Sequence, residues 1–488
     1  MKYLNWMALV LLPACKVVGP DYQAPEPELP VAFLADPTSL PSDRSGLEPS
    51  VDLAQWWRVF GDELLDELVE RAQRDNMDLR MALARISEAE SRLGVTRALR
   101  RPRLEGNAHY QRSGISKNTE FGLFPGQPRE TDEYVAALSA SWELDLWGQA
   151  KRRIEADAAG LEARGDDLWA VQVSLTGQVA DAYLRLREVQ ARRVLAREQV
   201  AVLEQSVQTA QARFEAGLVQ ELDVLRARTE WRGAQAALPE LDRLEINLIS
   251  EIEVLLQAQP GTLEARLQVA DGAEVVLPEP QAGLDAVVPA DLLRRRPDIR
   301  SAERALAAQT ALVGVAEADL YPSLSLTGNL GLLSAKPENL FEGGSLFHSV
   351  GPQLTMPLFS GGALRDQVAV EEARVEAAWA QYEGLVNRAL HEVVNACRGT
   401  RLEWERLGAL RQAVDQSGVS LERAQVLYRE GLSTIDGVLD ARRARNGLQD
   451  REVQARIAWA RAHVDLYRAL GGGWPVPGEE PKSSEPGE

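Results

Sequence analysis

From Gln149 to Phe214, apolar residues recur at every seventh position through Leu168, Leu175, Ala182, Val189, Ala196, Leu203 and Ala210. A second stripe four residues on runs through Val179, Leu186, Arg193, Val200, Val207 and Phe214, broken once at Arg193. Proline is absent from this stretch and from Ala363 to Glu430, where Val386, Val393, Thr400, Leu407, Val414, Leu421 and Tyr428 form the stripe. A sustained heptad period predicts helices packed as in a coiled coil. At about 1.5 Å per residue, a helix of this length would be roughly 100 Å long, against the usual helix of about 12 residues.

Between these stretches the period changes from seven to two. Tyr134, Ala136, Leu138, Ala140, Trp142 and Leu144 alternate with Val135, Ala137, Ser139, Ser141, Glu143 and Asp145. Leu324, Leu326, Leu330 and Leu332 alternate with Ser323, Ser325, Thr327 and Asn329; Val350, Pro352, Leu354, Met356 and Leu358 alternate with Gly351, Gln353 and Thr355. Leu104 to Gln111 alternates more weakly. Such segments are strands with one apolar and one polar face. They suit a membrane β-barrel, with Trp142, Trp147, Phe341, Phe347 and Phe359 as an aromatic belt, or a soluble antiparallel sheet packed on a helix. Four strands do not close a barrel, and an open edge cannot sit in lipid, so a membrane reading requires an oligomer. Three chains would supply twelve strands.

The two textures occur twice. Gly217-Leu218 opens a segment, ending at Arg228, that matches the segment from Gly431-Leu432 to Arg442, an offset of 431 − 217 = 214. Asp78-Leu79-Arg80 matches Asp298-Ile299-Arg300, and Pro102 matches Pro322, an offset of 322 − 102 = 220. The chain is therefore read as a duplication with six extra residues between Pro102 and Gly148 in its first copy. Each copy is expected to hold a shorter helix (about 62–98 and 289–318), strands, a very long helix, a Gly-Leu turn and a second long helix.

Composition narrows the function. Lys and Arg number 54 and Asp and Glu 73, a formal net charge of −19, which argues against nucleic acid as a main partner. Only two cysteines occur, Cys15 and Cys397, so no disulfide framework is expected. No run of about 18 apolar residues follows the N-terminal segment, so no transmembrane helix is expected. Lys2 and the apolar Trp6–Leu12 read as a short secretory signal. Leu12-Pro13-Ala14-Cys15 then resembles a bacterial lipobox, which would place diacylglycerol on Cys15; an ordinary signal peptide with a chance cysteine is the other reading. Lys16, in place of an aspartate, implies release to the outer membrane. The proline-rich stretch beyond it reads as an extended tether.

Several motifs together resemble the outer-membrane factor family of TolC and OprM, in its NodT-type lipoprotein branch. They are Val18-Gly19-Pro20-Asp21-Tyr22, Trp56-Trp57 with Phe60-Gly61-Asp62, and Arg295-Arg296-Pro297-Asp298-Ile299-Arg300 with Ala302-Glu303. Tyr321-Pro322, Pro357-Leu358-Phe359-Ser360-Gly361-Gly362 and Leu470-Gly471-Gly472-Gly473-Trp474 complete the set. The resemblance implies a mainly α fold with a membrane β segment: a duplicated long-helix α-barrel plus four strands contributed to a trimeric, twelve-stranded outer-membrane barrel. It implies a non-enzymatic exit duct that receives substrate from an inner-membrane transporter through a periplasmic adaptor. The lipobox and the Arg-Arg-Pro-Asp motif favour efflux with a transporter of the resistance-nodulation-division kind; the duct of a protein-secretion system is the alternative. From a different class, the rival is a periplasmic coiled-coil scaffold lipoprotein without a pore.

On this reading residues 1–14 are a signal peptide, 15–52 the tether, 53–102 a short-helix segment, 103–147 the first β-hairpin and 148–260 the first long-helix pair. Residues 261–322 are a connecting and equatorial segment with the second short helix, 323–361 the second hairpin, 362–473 the second long-helix pair and 474–488 an acidic tail. The resemblance also places the turns Gly217-Leu218 and Gly431-Leu432 at periplasmic tips where adaptors dock, and a gate just after the second turn. Asp440 and Arg443 match that gate's ring, and Asp436 falls where relatives carry an apolar residue. Three copies of Asp436 and Asp440 would make a compact acidic ring; ordinary solvated helix charges are the competing account. No cofactor is implied. His391-Glu392-Val393-Val394-Asn395 misses a zinc-protease helix because Asn395 stands at the second ligand position.

Overall fold

The computed structural model describes residues 17–25, 52–116, 130–270, 273, 275–281 and 295–475. The signal segment, Cys15, most of the tether and nearly all of the acidic tail lie outside the described residues. A 3-10 helix, Leu53–Phe60, precedes α1 (Glu63–Asp75) and α2 (Met77–Ala98). Strands β1 (Arg103–Gly114) and β2 (Glu130–Leu144) follow, then α3 (Gln149–Glu215), α4 (Glu221–Leu255) and the single turn α5 (Glu264–Leu267). The second copy holds α6 (Pro297–Ala318), β3 (Ser323–Ser334), β4 (Leu346–Thr355), α7 (Ala363–Arg429) and α8 (Ile435–Ala469).

The duplication is visible element by element. α2 and α6 are each 22 residues long, β1 and β3 each 12, α3 and α7 each 67, and α4 and α8 each 35. The elements differ from the sequence expectation at several boundaries: the second short helix, expected from about 289, begins at Pro297, and residues 289–294 lie outside the described residues. The helix expected over 62–98 is broken at Asn76, whose buried side chain accepts from the Asp78 and Leu79 amides at 2.8 and 3.3 Å and donates to the Leu255 carbonyl at 3.0 Å. An asparagine that bonds the following amides ends one helix and caps the next. The last strand begins at Leu346 and ends at Thr355, so Met356 and Leu358 continue the alternation only in sequence.

The chain forms two compact units. One comprises Ala84–Gly165 and Ser301–Glu383 with the described residues 17–25. It contains a four-stranded antiparallel sheet, the only sheet among the described residues, in the order β1-β2-β3-β4. The register pairs Leu104 with Ala140, Leu138 with Leu330, and Leu324 with Leu354.

The other unit comprises Asp166–Arg300 and Gly384–Glu488 with the described part of Pro27–Leu83. Its main core gathers Trp56, Trp57, Phe60, Leu65, Val179, Tyr183, Leu186, Ile252, Leu267 and Tyr467. Trp56 stacks on Tyr467 at 5.3 Å, and the Gly473 amide donates to the Leu53 carbonyl at 2.7 Å. Asp62 caps α1 through the Leu64 and Leu65 amides and also accepts from the Tyr183 hydroxyl at 2.6 Å. Arg296, almost wholly buried, bonds Asp298 at 2.8 and 3.0 Å, Glu392 at 2.6 Å and the Ala469 carbonyl at 3.1 Å. The Trp-Trp, Arg-Arg-Pro-Asp and Gly-Gly-Gly-Trp motifs thus hold one core together, and Glu392 is engaged by an arginine.

Candidate functional site: a charged helix tip and an amphipathic sheet

The turns that end α3 and α7 are the same structure built twice. Gly217 and Gly431 sit at φ of +72° and +75°. The Leu218 amide donates to the Arg213 carbonyl and the Leu432 amide to the Leu427 carbonyl, both at 2.9 Å. The Gly217 and Gly431 amides donate to the Phe214 and Tyr428 carbonyls at 2.9 and 3.2 Å. This is the Schellman arrangement, in which a left-handed glycine lets the chain turn back and satisfies the last helical carbonyls. Leu218 and Leu432 project from the tips, 73 % and 72 % exposed.

Below the turns the helices pack through small clusters. Leu203, Ile435 and Leu439 meet beside Trp231 and Tyr428; Ala210, Val224 and Ala227 form another. Arg442 reaches across to the Ser206 hydroxyl at 2.7 Å, and burial lowers the basicity of its guanidinium.

The three charges singled out in sequence stand on α8, and each is partnered. Asp436 pairs with Arg226 of α4. Arg443 bonds Asp440 at 3.1 Å, one turn away on its own helix, and Glu230 of α4 at 3.2 Å. The side chains of Asp440 and Arg443 are more than half exposed and that of Asp436 a little under half. Two members of this cluster, Arg226 and Glu230, were not singled out in sequence. A signal existed for one: at the repeat offset of 214, Arg226 matches Asp440, opposite charges at equivalent positions.

The sheet carries the second set of features. Register places Leu104 and Tyr110 of β1, Tyr134, Leu138, Trp142 and Leu144 of β2, Leu324, Leu326, Leu330 and Leu332 of β3, and Leu346, Val350, Pro352 and Leu354 of β4 on one face. The opposite face carries Glu105, Asn107, His109, Glu133, Ser139, Ser141, Ser325, Thr327, Asn329, Ser349, Gln353 and Thr355. Asn329 bonds Ser349 at 3.3 Å across it. On the apolar face, Tyr110 and Tyr134 pack at 4.8 Å, an aromatic pair beyond the expected belt. Of the expected belt, Trp142 is on this face and donates to the Arg100 carbonyl at 3.2 Å. Trp147 stacks on Tyr321 at 4.6 Å, and Phe341 and Phe359 are almost fully exposed. Phe347 belongs to the opposite face, in register with Gly331. Among the described residues β1 and β4 each pair on one side only.

The model of a family described as outer membrane efflux protein matches residues 68–245 and 288–472. This chain belongs to the outer membrane efflux protein family. Toluene efflux pump outer membrane protein TtgI of Pseudomonas putida is 32 % identical to this efflux channel over 481 residues, 97 % of this chain and 99 % of that protein. Nodulation protein T of Rhizobium leguminosarum bv. trifolii is 29 % identical over 473 residues, 97 % of each chain. Among solved structures, the outer-membrane channel OprN matches with a TM-score of 0.82 and 34 % identity, over 94 % of this chain and 99 % of its own. CusC, whose structures are described in terms of folding and transmembrane channel formation, matches with a TM-score of 0.81 and 26 % identity, over 93 % and 100 %. The chain is thus an outer-membrane efflux channel protein of the TolC/OprM type, and its strands and long helices are those of that channel fold.

Proposed function

We propose that this channel works as a trimer and is the exit duct of a tripartite efflux system, anchored by acylated Cys15 and gated at the charged helix tip. The observation that carries the reading is the sheet: a face that is mainly apolar, with His348 opposite Leu330 and Arg112 and Asp132 towards one end, an opposite face that is mainly polar, and two edge strands each paired on one side among the described residues. In lipid every backbone polar group needs a partner within protein, so β4 of one subunit must pair with β1 of the next until the cylinder closes. Three subunits give the twelve strands of a closed barrel lined by Asn329, Ser349 and their neighbours. Residues 103–147 and 323–361 are then the membrane hairpins, and 148–260 and 362–473 the paired helices of the periplasmic duct.

At the tip, Asp436, Asp440 and Arg443 with Arg226 and Glu230 form the constriction that holds the duct shut. The exposed Leu218 and Leu432 and their turns are the docking points for a periplasmic adaptor, which couples the duct to an inner-membrane transporter of the resistance-nodulation-division class. A pore-free coiled-coil scaffold would have no use for strands with one lipid-compatible face. The test is electrical. Purified protein is expected to run as a heat-resistant trimer in detergent and to conduct ions in planar bilayers. A monomer that stays in water with the sheet's apolar face covered would refute the reading.

A further inference from the structure

Residues 17–22 lie against the sheet-bearing unit in a seat built from several directions. The Val18 amide donates to the Trp147 carbonyl at 3.0 Å. Arg152, its side chain 3 % exposed, donates from Nε to the Val18 carbonyl at 3.1 Å. Its Nη2 donates to the Gly19 carbonyl at 3.0 Å and to Asp21 at 2.7 Å, and its Nη1 to Glu155 at 2.9 Å. The Tyr22 hydroxyl donates to Glu303 at 3.1 Å. Gly19, at φ +88°, lies so close to Gly314 that a Cβ on Gly19 would be 2.3 Å from the Gly314 Cα. A buried guanidinium with two of its main acceptors on backbone carbonyls of a flanking segment is costly to leave unpaired, so the segment and Arg152 hold each other in place.

The position of the seat gives it a consequence. Trp147 comes three residues after β2 ends and Tyr321 two before β3 begins; the two stack at 4.6 Å, and the Trp147 indole donates to the Pro322 carbonyl at 2.8 Å. The strap is therefore fastened at the end of the sheet where Leu104, Leu144, Leu324 and Leu354 close the apolar face. Cys15 is two residues before Val17, a reach of at most about 7 Å between Cα atoms.

We infer that Arg152 is a positioning residue for the lipid anchor: it seats residues 17–22 so that acyl chains on Cys15 enter the bilayer beside the Leu104–Leu324–Leu354 band of the sheet. The inference rests on the acylation proposed above. Without the seat the strap would be a loose leash and the chains could enter anywhere within its length. With it, the anchor and the sheet meet the membrane at one fixed depth.

Two variants release the strap in different ways. Arg152→Met removes the donors, while Gly314→Val keeps them but places a Cβ 2.9 Å from the Arg152 Cγ, 2.9 Å from the Val18 carbonyl oxygen and 3.1 Å from the Arg152 Nε, wedging donor and acceptor apart. Hydrogen exchange read by mass spectrometry on the lipidated, bilayer-reconstituted protein is expected to show residues 17–22 protected in the wild type. Exchange there should be at least tenfold faster in both variants, with the strands unchanged. A photoactivatable fatty acid incorporated into the lipoprotein should crosslink to peptides holding Leu104, Leu324 or Leu354 in the wild type and scatter in the variants. Equal protection in wild type and both variants, or wild-type crosslinks at the opposite strand ends, would overturn the inference. Acylation is judged separately, by the mass of the Cys15 peptide. In Cys15→Ser the strap should stay protected, so a missing acyl group sinks the anchor and a missing protection sinks the seat.

Discussion

Arg226 and Asp436 form an ion pair between α4 and α8, helices that descend from different copies of the duplication. Both side chains are a little under half exposed, so the pair contributes at most about 1 kcal/mol to stability. Its expected effect is therefore on the resting state of the tip. Arg226→Ala and Asp436→Ala should each raise closed-state conductance in planar bilayers several-fold while the melting temperature of the trimer moves by only a degree or two. Exchanging the charges, as Arg226→Asp with Asp436→Arg, should restore low conductance. A swap that leaks as much as the single variants would show that the pair is a surface decoration.

The two faces of the sheet should respond oppositely to charge. Leu138 and Leu330 are in register at its centre on the apolar face, and Ser139 and Asn329 are the neighbouring pair on the polar face. Arginine at a lipid-facing position near the bilayer midplane costs about 2–4 kcal/mol per copy. Leu138→Arg is expected to abolish heat-resistant trimer in outer-membrane fractions, whereas Ser139→Arg should assemble and change ion selectivity. The same loss of trimer from both substitutions would refute the assignment of faces.

Gly431 is expected to be the sensitive residue of its turn. A Cβ there meets nothing within 4 Å, so any penalty comes from the backbone at φ +75° alone. Gly431→Ala should cost about 1 kcal/mol and Gly431→Asn less, because Asn tolerates the left-handed region. Amide exchange at Leu432 would report the loosening directly, and an alanine variant as protected as the parent would contradict the account.

Much of this architecture is legible in the chain. The heptad stripe around Ala182 and Val189 marks a helix too long for a globule, and the two repeat offsets, 220 and 214, are those that relate the starts of β1 to β3 and of α3 to α7. Local chemistry is less legible where a side chain acts through tertiary contacts. Asn76 reads as an unremarkable polar residue in a helical run, yet its side chain caps α2 through the Asp78 and Leu79 amides while holding the Leu255 carbonyl, a tertiary partner the run does not reveal. At the tip, Asp440 and Arg443 follow from a motif, but Glu230 becomes a partner only through the packing of α4 against α8. Arg152 is singled out by no motif: its pairing with Glu155 three residues on is ordinary for a helix, and its other acceptors, the Val18 and Gly19 carbonyls and Asp21, lie 131 to 134 positions away.

His463 should make the helical unit sensitive to acid. Its ring is buried, bonds the Trp459 carbonyl at 3.0 Å and lies edge-on to the Trp459 indole. Burial is the larger influence and lowers its pKa below the ordinary value, while the carbonyl contact opposes the shift. The unfolded imidazole takes up a proton near pH ~6.5. With the folded pKa depressed, the unfolded chain binds more protons below that value. This stability contribution is then complete above about pH 6.5 and lost as pH falls through the folded pKa. The trimer's melting temperature should therefore drop more steeply between pH 7 and pH 5 (about two units) in the wild type than in His463→Phe. Parallel slopes would remove His463 from the explanation.

Arg193, the charge that breaks the apolar stripe of α3, should prove the costliest single charge to remove. Its guanidinium pairs with Glu245, whose side chain is 3 % exposed and which also accepts from Gln190 at 3.0 Å. Gln190 in turn donates to the Leu267 carbonyl at 2.7 Å, so the pair helps to fasten the segment after α4 to both long helices. Arg193→Met strands a buried carboxylate and should cost about 3–5 kcal/mol. Methionine at both positions removes the stranded charge along with its partner and should recover most of that loss, because a buried ion pair and a packed apolar pair are often similar in net stability. A double-mutant cycle on the trimer's thermal or denaturant unfolding measures the coupling. If the double variant is as unstable as the sum of the singles, the two charges act independently and the break in the stripe needs another cause.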